Sequence, residues 1–344
     1  MSKLSWTAFK NLCLEQVKRE ENPKKNLLMV EYPSWIYGSI TAIMIVCLSG
    51  QLANPYQMLE TRLALVGGTA LLMWLYRIYP CNLTIFTRVL LQFLLLIFWY
   101  PETYEFNRLF PNQDHLFATA EQLIFGCQPA VEFSKWLTST FWSEMFNLGY
   151  WSYYPMIFLV VVYHLVCRPK KAQRVAFAIL TSFFIYYFVY MFLPVAGPQY
   201  YYPAIGYPEK DIYEIAQNGF PALGDYFTHN SELLPGPGNQ DGFFAQRVAE
   251  AQAAGERPTA AFPSSHVGVT TILLLIAWIN QKKLLYVLLP LYVLLVCATV
   301  YIQAHYLIDA IAGFLTSFPV FYLSDSLYYW LIDKPRPSRP MGSF

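Results

Sequence analysis

Apolar residues in this chain gather into blocks of about 20, each long enough to cross ~30 Å of hydrocarbon as a helix. Eight such blocks can be read, near 34–53, 56–77, 83–100, 150–167, 173–194, 264–280, 284–303 and 306–330. In lipid a backbone must satisfy its own N–H and C=O groups, so only helices and closed barrels can span. The strict alternation of barrel strands is absent. With 56% apolar, 18% aromatic and 13% charged residues over 344 positions, the chain also has too little polar surface to coat a water-soluble globule of its size. The expected fold class is an all-α polytopic membrane protein with about eight transmembrane helices. The second block is the weakest, because Glu60 and Arg62 interrupt its start. No block carries the small-residue cleavage site of a secretory signal, so the N-terminus is expected to stay attached.

Lysine and arginine set the expected orientation. With the N-terminus inside, the inner segments hold Lys3, Lys10, Lys18, Arg19, Lys24, Lys25, Arg77, Arg88, Arg168, Lys170, Lys171, Arg174, Lys282, Lys283, Lys334, Arg336 and Arg339. That is 17 of 23 basic residues, against 6 outside: Arg62, Arg108, Lys135, Lys210, Arg247 and Arg257. The bias places both termini on the cytoplasmic side and the long loops on the other. The net charge of +1 averages a basic inner side with an acidic outer one and gives no indication of nucleic-acid binding. The six cysteines show neither a disulfide framework nor a metal-ligand spacing.

The blocks divide the chain into an amphipathic cytoplasmic tail (1–33), N-terminal transmembrane helices (34–100), an outer interfacial segment (101–149), a transmembrane core (150–330) containing an outer loop at 195–262, and a cytoplasmic tail (331–344). In the first tail Leu4, Phe9, Leu12, Cys13 and Val17 share one helical face, the pattern of a helix lying on the inner leaflet or docking on a partner. Segment 101–149 is too polar to cross, with Glu121, Pro129 and Glu132 interrupting its helical spacing, and is expected to form short helices along the outer surface. Loop 195–262, rich in Pro, Gly and Tyr, has the length of a functional lid.

Two of the five histidines stand out. His266 opens the sixth block in F-P-S-S-H, and His305 follows the seventh in H-Y-L-I-D, with Asp309 four residues on. Their separation of 39 residues equals two crossings of ~20 each, so a helical hairpin returns His305 to the face it left at His266. At i and i+4 on a helix, a carboxylate can accept the N–H of an imidazole and leave the other ring nitrogen as a lone-pair donor. An acid a turn into a span costs on the order of 2.5–3.5 kcal/mol unless paired, which points to function. A single histidine beside a span is more often a satisfied interfacial residue, and His164 is read that way. Ser264 and Ser265 could simply cap the helix.

These residues resemble a family. F-P-S-S-H at 262–266 and H-Y-L-I-D at 305–309 look like the middle and last signatures of the type 2 phosphatidic acid phosphatase (PAP2) superfamily, integral membrane enzymes acting on lipid phosphates. The resemblance implies a six-helix core formed by the last six spans, with two N-terminal helices added. It implies that His305 attacks phosphorus to form a phosphohistidine, that Asp309 orients it, and that His266 protonates the leaving oxygen. Two imidazoles in opposite roles need opposite protonation states, which their surroundings can set. Ser264 and Ser265, with the free N–H groups of the helix start, would hold phosphate oxygens. Neither a metal nor an organic cofactor is implied.

The chain departs from the family pattern where cations are expected. The first signature, K-x6-R-P, is replaced by M-F-L-P-V-A-G-P-Q-Y-Y-Y-P, and the S-R pair ahead of the last histidine by Ala298 and Thr299. This is more similar to the branch of inositol phosphorylceramide synthases and related sphingolipid headgroup transferases. Arg257 is the best replacement cation, with an ordinary surface arginine as its equal alternative, and Arg247 and Lys210 rank below it. Gln199, Tyr200 and Tyr201 could supply neutral hydrogen bonds. The expected activity is transfer of a phospho-headgroup from a phospholipid donor to a lipid alcohol such as ceramide, on the non-cytoplasmic (periplasmic or lumenal) face. The alternatives are a lipid phosphate phosphatase of the phosphatidic acid or polyprenyl diphosphate type, with water as acceptor, and a non-catalytic lipid transporter or scaffold.

Overall fold

A computed structural model describes residues 10, 14–21, 23 and 26–333. Apart from Val17, the apolar face expected near the N-terminus lies outside the described residues, as does the C-terminal tail from 334. Helices make up 74% of the structure, with no strand among the described residues. The chain divides into two compact units, one of Met1–Trp99 and Val161–Leu180, the other of Tyr100–Val160 and Thr181–Phe344.

The first unit holds α1 (Tyr32–Cys47), α2 (Pro55–Ile78) and α3 (Asn82–Leu94). Its two buried arginines have partners within the unit. Arg88 forms a buried two-pronged pair with Glu31, at 2.7 Å from Nε and 2.6 Å from Nη2. Arg62 donates to the Met58 carbonyl and the Thr41 hydroxyl, both at 2.7 Å, and lies over the Trp99 ring. Arg62 therefore does not break the second block: α2 runs for 24 residues and is long and apolar enough to span.

Along the rest of the chain follow α4 (Leu96–Asn107), α5 (Asp114–Phe125), α6 (Pro129–Trp136), α7 (Thr140–Trp151), α8 (Tyr153–Cys167), α9 (Pro169–Phe192), α10 (Pro198–Ala204), α11 (Ile212–Asn218), α12 (Phe243–Gly255), α13 (Ser265–Asn280), α14 (Lys282–Tyr301) and α15 (Leu307–Leu331). Five helical stretches among the described residues could cross a membrane: α2, α3 with α4, α9, α14 and α15. A sixth arises if α7 and α8, bent by 44° at their junction, count as one span. The remaining two of the eight apolar blocks hold α1 and α13, each 16 residues long. At ~1.5 Å per residue such a helix falls short of ~30 Å.

In the second unit α13 packs against both α14 and α15, and α7 against α14 and α12. The α13–α15 approach requires Gly313, where a side chain would run into the Ser264 carbonyl. Segment 101–149 does form short helices, but two of its acids are fully buried. Asp114 accepts from the backbone N–H of Ala196 at 2.7 Å and Gly197 at 2.8 Å and from the Tyr306 hydroxyl at 3.1 Å. Glu121 accepts from the Ile308 N–H at 3.1 Å, in the first turn of α15. Loop 195–262 is likewise structured: Tyr201, Tyr202, Ile212 and Ala261 share a buried cluster with Tyr306.

Candidate active site

Three backbone segments are stitched side by side by hydrogen bonds. Ala261 N–H donates to the Val195 carbonyl at 2.9 Å, Gln199 N–H to Gln303 at 2.8 Å, and Ser264 N–H to Asp309 at 3.0 Å. The start of loop 195–262, the approach to α13 and the approach to α15 thereby meet. Tyr190 fastens the F-P-S-S-H stretch, its hydroxyl donating to the Pro263 carbonyl at 2.8 Å and accepting from the Ser265 N–H at 2.9 Å.

This framework brings the two histidines together. His305 Nε2 lies 3.4 Å from His266 Nδ1. His305 Nδ1 lies 2.8 Å from the Ala261 carbonyl oxygen, which can only accept, so Nδ1 carries the hydrogen and Nε2 a lone pair. The facing Nδ1 of His266 then donates. His305 is buried, which pushes its pKa down to about 4 against the upward pull of the Ala261 carbonyl and Glu256. It is neutral near pH 7, as a nucleophile must be. The His266 ring sits between Tyr150, at 4.6 Å between centroids, and Tyr153, at 4.3 Å.

Asp309 Oδ2 is 3.7 Å from His305 Nδ1, an ion-pair separation rather than a hydrogen bond. The same oxygen accepts from the Tyr306 N–H at 2.8 Å and caps α15. Because α15 begins only at Leu307, His305 precedes the helix, and i/i+4 alignment on a helix face does not apply.

A cavity of about 20 Å³ opens beside the imidazoles. Of the expected phosphate-binding residues, Ser265, Arg257 and Gln199 line it with His266 and His305. Ser264, Tyr200 and Tyr201 do not: Ser264 caps α13 through the Val267 N–H, Tyr200 packs on Phe227, and the Tyr201 hydroxyl donates to the Pro221 carbonyl at 2.8 Å. Lys210 is exposed and away from the cavity lining, while Arg247 pairs with Glu250 at 2.8 Å. Arg257 is exposed, and its Nη1 donates to the Glu256 backbone carbonyl at 3.0 Å.

Sequence reasoning missed Glu256, Tyr150, Tyr100 and the Ala261 carbonyl. The Glu256 residue is half-buried, but its carboxyl group is enclosed in the cavity, which raises its pKa. Glu256 follows α12 with no pattern around it, and a backbone carbonyl has no sequence signature. The signal available for Tyr150 is the aromatic run G-Y-W-S-Y-Y at 149–154.

The chemistry this arrangement can perform is transfer of an electrophilic group from an oxygen to an imidazole nitrogen, with a second imidazole handling the proton. The profile of the PAP2 superfamily matches residues 114–323, well over half of the chain, and both histidine motifs fall within that range. The protein therefore belongs to the PAP2 superfamily and is an enzyme of its phosphatase or phosphotransferase kind. No curated protein and no solved structure matches the chain. The match begins at residue 114, after the third apolar block, and ends at 323, within the eighth.

Proposed function

We propose that this enzyme is a lipid headgroup phosphotransferase that works through a phosphohistidine at His305, of the inositol phosphorylceramide synthase-like branch. The observation that carries the reading is the pair of facing imidazoles 3.4 Å apart, with the His305 tautomer set by the Ala261 carbonyl. In the first half-reaction the Nε2 lone pair of His305 forms the N–P bond, the P–O bond to the glycerolipid breaks, and His266, acting as an imidazolium, gives its Nδ1 proton to the departing oxygen and is left neutral. In the second, His266 takes the proton of an acceptor hydroxyl, the hydroxyl oxygen bonds to phosphorus, and the N–P electrons return to His305.

Ser265, Gln199 and Arg257, which line the cavity, would contact phosphoryl oxygens, and Asp309 would stabilise the positive charge that His305 gains on attack. The two rings stand about a hydrogen bond apart, so they must part to admit phosphorus. The active site faces the non-cytoplasmic side, with both termini cytoplasmic. The water-sized cavity beside the histidines favours one second reading, a lipid phosphate phosphatase in which water is the acceptor. Headgroup-labelled phospholipid, supplied with and without ceramide, separates the two. Transfer predicts label in the lipid fraction only when ceramide is present, and release of soluble labelled phosphate at a rate unaffected by ceramide would overturn it.

A further inference from the structure

The buried Asp114, at the start of α5, holds two other segments at once. Its Oδ2 accepts from the Ala196 N–H at 2.7 Å, and its Oδ1 from the Gly197 N–H at 2.8 Å and the Tyr306 hydroxyl at 3.1 Å. Ala196 and Gly197 lie between α9, which ends at Phe192, and α10, which begins at Pro198, so neither N–H finds its acceptor within a helix. The Gln113 N–H donates to the Pro194 carbonyl at 2.8 Å and ties the same two stretches together. Burial raises the Asp114 pKa, and its hydrogen bonds oppose the rise. Each carboxyl oxygen faces a backbone N–H, which can only donate, so each keeps a lone pair turned to it whatever the charge of the group.

Both held segments lead to His305. Val195, beside Ala196, accepts from the Ala261 N–H at 2.9 Å, and the Ala261 carbonyl is the acceptor for His305 Nδ1 at 2.8 Å. Tyr306 follows His305 in the chain, and Gly197 packs so closely on the residue before it that a methyl there would stand 2.6 Å from the Ala304 carbonyl. Ala196, Ala261, Ala304 and His305 line the cavity together. We infer that Asp114 is a positioning residue for the reaction: one carboxyl group fixes both the acceptor of the His305 hydrogen bond and the backbone that carries the ring, and so sets the tautomer that leaves Nε2 its lone pair. Without that grip the Ala261 carbonyl and His305 Nδ1 drift apart, and the ring is free to carry its hydrogen on Nε2, where it cannot attack phosphorus.

This inference rests on the reading of His305 as the nucleophile, and its test separates the two. Asp114→Asn keeps the volume but turns an amide N–H towards a backbone N–H. The full chain in detergent micelles is assayed for turnover of a phospholipid donor, and nitrogen NMR of isotope-labelled histidine, with His305 assigned by its absence from a His305→Ala chain, reports the tautomer. The expected kcat falls by about 10- to 100-fold with KM within about twofold of wild type, and His305 Nε2 moves from the unprotonated towards the protonated position. An unchanged kcat per folded molecule, or an unchanged His305 tautomer, overturns the inference and leaves Asp114 a structural group alone. Tyr306→Phe removes a single hydrogen bond to Asp114 and keeps the ring; it is expected to lower kcat by about 3- to 10-fold and to move the same signal part of the way. If Asp114→Asn does not fold, Tyr306→Phe decides, and an unchanged kcat or tautomer in it overturns the inference. If His305→Ala turns over the donor at the wild-type rate, the nucleophile reading fails, and the tautomer in Asp114→Asn or Tyr306→Phe then decides the positioning role by itself.

Discussion

His305 owes its reactive tautomer to the Ala261 carbonyl at 2.8 Å, and Asp309 stands further off at 3.7 Å. Asp309 is thus expected to act through charge while serving as the cap of α15. Asp309→Asn preserves the cap, since Asn accepts the Tyr306 N–H as well as Asp does. It should leave the melting temperature nearly unchanged and lower kcat by about 10- to 100-fold, the effect of ~1–3 kcal/mol of lost charge stabilisation. An unaltered kcat would assign Asp309 to the helix alone. Glu121 offers a test by pH. Burial, with Asp309 adding to it, raises its carboxyl from 4.5 to about 8. The folded chain then keeps a proton that the unfolded chain releases above about pH 4.5, so this group's contribution to stability declines as pH rises from there to about 8. Glu121→Gln removes the decline, and its melting temperature relative to wild type should climb between pH 5 and 8; parallel curves would show that Glu121 is ionised in the fold.

The elements that matter most are the three stitched segments, which depend on close backbone contact. Gly197 has φ +93°, and a methyl there would stand 2.6 Å from the Ala304 carbonyl, next to His305. Gly197→Ala should cost about 2 kcal/mol or more of stability and lower kcat together with it, by displacing the approach to α15. Unchanged kcat in a destabilised chain would mean that the approach to α15 does not position His305. Much at this scale was legible beforehand. The hairpin of α13 and α14 follows from two apolar blocks between His266 and His305, and the pairing of their ends from its length alone. Asp114 and Glu121 were not legible: Glu121 interrupts a helical pattern and reads as surface, and Asp114 stands just ahead of that pattern with no motif around it. Their burial is made possible by backbone N–H donors at Ala196, Gly197 and Ile308, which only the tertiary fold supplies.

For the whole molecule, the apolar blocks identify an integral membrane protein, and five or six helical stretches among the described residues are long and apolar enough to span. The 16-residue α1 and α13 are shorter than a full crossing, yet α13 runs from the His305 end of the spanning α14 back to its Lys282 end and so covers the same depth. Glu256 and Tyr150 escaped notice because they reach the histidines from distant segments, and nothing local marks them. The proposed orientation predicts that cysteines introduced at the exposed positions Asn230 and Lys283, in a cysteine-free background, react with an impermeant reagent on opposite sides of sealed vesicles. Labelling from one side would reverse the charge-based topology. The central claim, nucleophilic attack by His305, is tested most directly by quenching the enzyme in alkali during turnover of a phospholipid donor and mapping the phosphorus adduct by mass spectrometry. The account predicts a headgroup-phosphate adduct on the peptide containing His305, absent along with turnover in a folded His305→Ala chain. Undiminished turnover in that variant, or an adduct carried only at another residue, would contradict it.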